Sequence, residues 1–254
     1  MKDVLALIEQ KKKKFAQLPL FEFMQDKSID PRQRLAFAPC IAPFVMSFGE
    51  LNKYAFREEP TSDPIQEIIN KHTYEDDHHW IWLLEDLEKL GIDRALKFTD
   101  ALRFLWSEET NISRRVAYEL YRYTVQATPI QKLVVIEAAE TTGNVFLSVS
   151  SQVVLELKST STTNQEYRYF GGGHLVVDTG HTYCSPKAKR FIESIQLTNE
   201  ERTQYFQIVD KVFEVFTELT DEFLAYTKTH NISQPFTTKA QQEQPLKVAL
   251  LTHR

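Results

Sequence analysis

Cysteine is nearly absent: 254 residues hold only Cys40 and Cys184, with no Cys-x-x-Cys pair. That excludes a disulfide framework and a paired-cysteine zinc or redox motif, and it fits a reducing compartment. Positive charge is not in excess either, since 30 Lys and Arg face 35 Asp and Glu for a formal net charge of -5. The electrostatic footprint of a nucleic-acid binder is therefore missing. No apolar run reaches the ~20 residues needed to cross a bilayer, because the most apolar stretch, Leu35 to Phe48, is interrupted by Pro39 and Pro43. The lysine run from Lys11 to Lys14 is not followed by an apolar segment with a cleavage site, so no export signal is read. A cytoplasmic chain is expected, and the Asn-x-Ser sequons at Asn111 and Asn231 count as chance matches. Strand-like alternation is also lacking, apart from a weak candidate near Val153 to Leu157. What remains is an ordinary globular composition, 42% hydrophobic and 26% charged, sufficient for one large domain with its own core. The expected partner is a small molecule, with neither nucleic acid nor membrane.

The patterns that are present are helical. Ser62-Asp63-Pro64 reads as a helix start, Asp63 capping free N–H groups and Pro64 sitting where none is needed. Ile65, Ile69, His72, Asp76, His79, Leu83, Leu87 and Leu90 then recur at three- and four-residue steps up to Gly91, predicting one long helix over 64–90. Further helices are expected over 93–106 and 113–126, and from Pro129 along Ile130, Leu133, Glu137, Glu140 and Asn144 towards Val154. Lys158 to Glu166 reads as a loop, Gly171-Gly172-Gly173 as its end, and 174–184 as a short helix. Thr198-Asn199-Glu200-Glu201 is a capping box opening a last helix to about Lys228. The N-terminal part adds a helix near Lys2 to Gln17 and a proline-bent one across Gln33 to Tyr54. The class is all-α, with a single helical domain over 1–230 and a polar tail over 231–254.

Histidine is clustered. Five of the seven fall into His72/His78/His79 and His174/His181. His72-x2-Glu75-Asp76-x2-His79 puts His72, Glu75 or Asp76, and His79 on one helical face, because offsets of three, four and seven return to the same side. His174-x3-Asp178-x2-His181 repeats the logic. Glu137 and Glu140 add carboxylates to an inward stripe, where an uncompensated charge is costly and a bound cation would offset it. Imidazole with carboxylate suits iron, manganese or zinc. Several helices each turning such groups inward is the plan of carboxylate-bridged dimetal bundles, which predicts two ions. Beside this stand blander readings, in which the histidines are core residues, Glu75-Asp76-Asp77 is a solvated face and Glu137 lies at the surface. His78 points away from the face of His72 and His79, and His230 and His253 carry no signal.

Three segments together resemble the heme-oxygenase-like diiron proteins: His72-Thr73-Tyr74-Glu75-Asp76-Asp77-His78-His79-Trp80, Glu137-Ala138-Ala139-Glu140-Thr141-Thr142-Gly143, and His174-Leu175-Val176-Val177-Asp178-Thr179-Gly180-His181. The resemblance implies a heme-oxygenase-like multi-helix bundle and a non-heme diiron oxidase or oxygenase that activates dioxygen to oxidise a small metabolite. The third segment matches the family's last metal helix, so His174, Asp178 and His181 are implied ligands. The middle segment supplies the family's bridging Glu, Glu140 by preference with Glu137 in reserve. The first segment departs, because the family sets Glu and His seven residues apart where this chain has His72 and His79. Either Glu75 takes the carboxylate role or the first site is richer in nitrogen. Two iron ions are implied as cofactors, with mixed Fe/Mn or single-metal occupancy left open, and dioxygen as co-substrate. Heme is not expected, since no histidine precedes His72. The same resemblance admits a homodimer.

Two other readings compete. One is a metal-free hydrolase of the TenA type on the same fold, using Cys184 or Cys40 as nucleophile. The other is a non-catalytic helical interaction protein in which the clusters are surface charge or hold a structural metal. Phe44, Phe48, Trp82, Phe146 and Phe170 are candidate pocket residues.

Overall fold

The computed structural model describes residues 1–92, 96–160, 166–180, 186–232 and 236, without the side chains of 160, 177–180, 186 and 187. Among the described residues there are helices and no strand, so the fold is an all-α multi-helix bundle. The helices are α1 (Lys2–Phe15), α2 (Pro19–Gln25), α3 (Ala42–Leu51), α4 (Pro64–Asp76), α5 (His79–Lys89), α6 (Phe98–Leu105), α7 (Asn111–Thr124), α8 (Pro129–Thr160), α9 (Gly172–Gly180), α10 (Pro186–Ser194) and α11 (Asn199–Thr229).

α8 and α11 are the axis of the bundle. In α8 the run Lys132 to Ile136 is buried without a break, as expected of a helix packed on all sides. Its neighbours are α1, α2, α4, α7, α9 and α11. The weak strand candidate over Val153 to Leu157 lies inside α8, where length and continuity of pattern outweigh local β-branching. α11 begins as expected, with Thr198 accepting from the Glu201 N–H and Glu201 reaching back to the Thr198 N–H. Its apolar line, including Val209, Val212, Phe213, Phe216, Leu219 and Phe223, is buried against α1, α2, α7 and α8.

The prolines of the Gln33 to Tyr54 stretch break it further than a bend. Gln33–Leu35 and Ala38–Ile41 are short 3-10 turns, α3 follows, and Asn52–Phe56 continues it as a π-helical turn. Gln33–Phe56 is apolar enough and long enough to pass for a membrane span, yet 67% of its most apolar window is buried in the bundle.

The expected single helix over 64–90 is two helices. α4 stops at Asp76, and α5 starts at His79 after an interruption at Asp77 and His78. Arg57 fixes this junction, donating to the Asp77 carboxylate at 2.8 Å and to the Thr73 hydroxyl at 3.0 Å. Glu75-Asp76-Asp77 is unfavourable at the C-terminal end of a helix dipole and favourable before the N-terminal end of the next, so charge supports a break that apolar spacing hides. Gly49 of α3 permits close passage here: a Cβ at this position would meet the Asp77 carbonyl oxygen at 3.0 Å and Trp80 Cδ1 at 3.3 Å. The first turn of α4 is anchored by the Asp63 cap, expected from sequence, and by Gln66, which donates to the Phe56 carbonyl.

Three smaller expectations also change. α2 and α10 were not foreseen, being short and lacking a long periodic pattern. α9 begins at Gly172, two residues earlier than expected. His230, which carries no signal in the sequence, is buried, stacked on Tyr226 at 4.1 Å and 3.5 Å from the Glu109 carboxylate. Beyond it, Phe236 packs against Phe104 with ring centroids 5.0 Å apart.

Candidate metal centre

α4 carries His72 and Asp76 four residues apart, so both side chains leave the same face. His72 Nε2 lies 3.1 Å from Asp76 Oδ2 and 3.6 Å from Oε1 of Glu140, which comes from the middle of α8. One donor atom from each of these residues lies within 4.8 Å of the other two. All three are buried, at 1%, 4% and 7% exposure. Nitrogen and oxygen donors brought this close in a low-dielectric interior fit a cation of the iron, manganese or zinc type.

The junction after Asp76 turns the chain so that His79, the first residue of α5, adjoins the same group. Its Nδ1 is 3.6 Å from Asp76 Oδ1. Across from it stands His174 of α9, whose Nε2 lies 2.9 Å from His79 Nδ1. His174 Nδ1 is 2.8 Å from the Tyr169 carbonyl oxygen. A carbonyl only accepts, so His174 Nδ1 carries a proton and donates it. In a neutral ring this leaves Nε2 as the acceptor, with its lone pair turned towards His79. Trp82, one turn into α5, stacks on His79 at 4.2 Å and 24° and fixes its ring plane.

The structure thus brings together His72, His79, Glu140 and His174 from the sequence-derived set, with Asp76 between the first two. Asp76 rather than Glu75 joins His72 and Glu140 in the close group; Glu75 is half-buried on the neighbouring side of α4. The sequence carried the signal, because 72, 76 and 79 follow the helical period as well as 72, 75 and 79 do. Glu137 lies outside the close group. Burial pushes its carboxyl up to about 7, with the Lys189 charge pulling the other way. The Asp178 side chain, His181 and Cys184 lie outside the described residues. Cys40 is fully buried, and burial, followed by the charges of Glu222 and Glu109, pushes its thiol well up, which is the environment of an inert cysteine.

A cavity of about 100 Å³ adjoins the group, with Asp76, His79, Glu140 and His174 on its wall. The remaining lining is mostly aromatic and aliphatic, including Phe44, Phe48, Phe146, Phe216 and Phe223, with no Lys or Arg among the described residues. Of the five aromatic residues expected at a pocket, Phe44, Phe48 and Phe146 line it, whereas Trp82 stands behind His79 and Phe170 is fully buried away from it.

Asp86 was missed. It lies on the inward line of α5 between Leu83 and Leu90, fully buried, and accepts from the N–H groups of Arg168, Tyr169 and Phe170 at 2.9, 2.8 and 3.0 Å. A lone carboxylate on an otherwise apolar helical stripe was the available signal.

No family model matches the chain, and no curated protein matches it significantly.

Proposed function

We propose that the chain is a non-heme diiron oxidoreductase that uses dioxygen to oxidise a small apolar metabolite. The observation that carries this reading is the convergence of His72, Asp76 and Glu140 from α4 and α8 beside His79 and His174, with Asp76, Glu140, His79 and His174 on the wall of an apolar cavity. The resemblance of the three motif segments to the heme-oxygenase-like diiron proteins supports it further. In this reading His72, Asp76 and Glu140 hold one ion, and His79 and His174 contribute to the second together with Asp178 and His181 of the same motif. Two Fe(II) ions would each supply one electron towards the reduction of dioxygen, with the substrate, as it is oxidised, supplying further electrons.

The rest is done by the chain itself. Glu140 and Asp76 offset the cation charge, and their burial keeps competing water away. Trp82 and Tyr169 fix the two histidine rings, so the donor atoms need little reorganisation. The phenylalanine lining admits an apolar molecule. Among the described lining residues there is no Lys or Arg, so no side-chain cation offsets an anionic group placed among the phenylalanines.

The test is oxygen consumption. Protein reconstituted anaerobically with Fe(II) is mixed with dioxygen, and uptake is followed alongside near-ultraviolet and visible absorption. Rapid uptake with an absorption change, both abolished in His72→Ala, is the expected result. Uptake no faster than that of free Fe(II) at equal concentration would sink the reading.

A further inference from the structure

We propose that Asp86 is a positioning residue for the metal centre, acting on His174 through a single peptide unit. The Phe170 N–H donates to Asp86 Oδ2 at 3.0 Å, and the carbonyl on the other end of that same peptide, the Tyr169 C=O, accepts from His174 Nδ1 at 2.8 Å. The carboxylate and the imidazole are thus joined head to tail across one amide. Two more N–H groups, of Arg168 and Tyr169, complete the grip on the carboxylate, and Lys89 donates to it at 3.2 Å.

Three physical consequences follow from this arrangement. A charge-assisted bond to an amide N–H polarises the amide and strengthens its carbonyl as an acceptor. The strengthened acceptor holds the His174 proton on Nδ1 and leaves the Nε2 lone pair for the metal side, as a carboxylate does directly in many metal-ligating histidines. The grip also fixes residues 168–170 immediately before α9, which sets where that helix starts and therefore where His174 stands. Asp86 sits seven residues after His79, so one short helix, α5, carries a residue of the metal-ligating cluster and the support for the opposing His174. Desolvating a carboxylate this deeply is unfavourable, and three backbone N–H bonds with a lysine offset it.

The consequence for metal rests on the proposed metal centre, but the tautomer does not, so the two are read separately. Protein with ¹⁵N-labelled histidine is examined metal-free by long-range ¹H–¹⁵N correlation, and Co(II) alone is used as the binding probe by competition with a chelator. In the wild type, His174 is expected as the Nδ1–H tautomer. In Asp86→Asn, which keeps the shape and removes the charge, it should become a mixture of tautomers, and the Co(II) dissociation constant should rise ~10- to 100-fold, the range for losing an outer-shell partner. Asp86→Glu, which keeps the charge, should lie closer to the wild type in both. A tautomer shift without Co(II) binding in the wild type would support the relay and count against the metal centre. His174 found as Nε2–H in the wild type, which needs no variant to fold, overturns the proposal. So does a folded Asp86→Asn with unchanged tautomer and Co(II) affinity.

Discussion

Asp76 shows how much one residue's register decides. It is four residues after His72 and three before His79, and it touches both at 3.1 and 3.6 Å. Glu75 is the neighbouring carboxylate of the same motif, and period alone does not choose between them. The choice comes from packing: Asp76 is buried beside His72, which faces Glu140 of α8, whereas Glu75 is half-buried. Asp76→Asn is therefore expected to weaken Co(II) binding by more than ~10-fold, beyond the lower bound for outer-shell losses, and by more than Glu75→Gln does in the same chelator competition. The opposite order would return the carboxylate role to Glu75. At the other side of the bundle Glu222 accepts from the Ile112 and Ser113 N–H groups, where it satisfies the start of α7. Burial raises its carboxyl from 4.5 to about 7, against the opposing pull of those N–H groups and of Arg114 and Arg115. The folded state then binds the proton more tightly than the unfolded chain, so this contribution to stability is full below pH 4.5 and is lost as pH rises to about 7. In urea unfolding, Glu222→Gln should accordingly gain on the wild type as pH rises through that window and show no further relative change above it.

At the scale of elements, the helices with long apolar periods were legible in the sequence: α1 and α11 end within two residues of expectation, α8 begins at Pro129 as expected but runs on to Thr160, into the stretch from Lys158 read as a loop, and the Thr198 and Asp63 caps are formed. The elements that were not legible are short or interrupted. α2 and α10 span seven and nine residues, too few to establish a period. The α4–α5 junction hides because a three-and-four spacing runs on across it while Arg57, 20 residues earlier, fixes Asp77 through a contact no local pattern reveals. Gly49 belongs to the same junction from the far side. Gly49→Ala would drive its Cβ against the Asp77 carbonyl oxygen at 3.0 Å, and overpacking of this kind costs about 1–3 kcal/mol. The loss should appear in urea unfolding together with weaker Co(II) binding, since Asp76 and His79 flank the displaced peptide. Lost stability with unchanged Co(II) affinity would show that the junction does not set the geometry of the His72, Asp76 and Glu140 group.

For the whole molecule, sequence placed the four side chains His72, His79, Glu140 and His174 on inward faces, and the bundle brings His79, Glu140 and His174 to one cavity wall with His72 against Glu140. What it did not supply is how α4, α5, α8 and α9 approach one another, which follows from α4 and α9 packing on α8 and α5 packing on α3. The claim that depends on all of them is that the bundle is built around a pair of ions. It is tested most directly by metal stoichiometry after anaerobic loading with Fe(II) and removal of unbound metal, in the wild type and in Glu140→Ala. About two irons per folded wild-type chain, with a clear loss in the variant, is the expected result. Wild-type protein that is folded and retains no iron above background would contradict it.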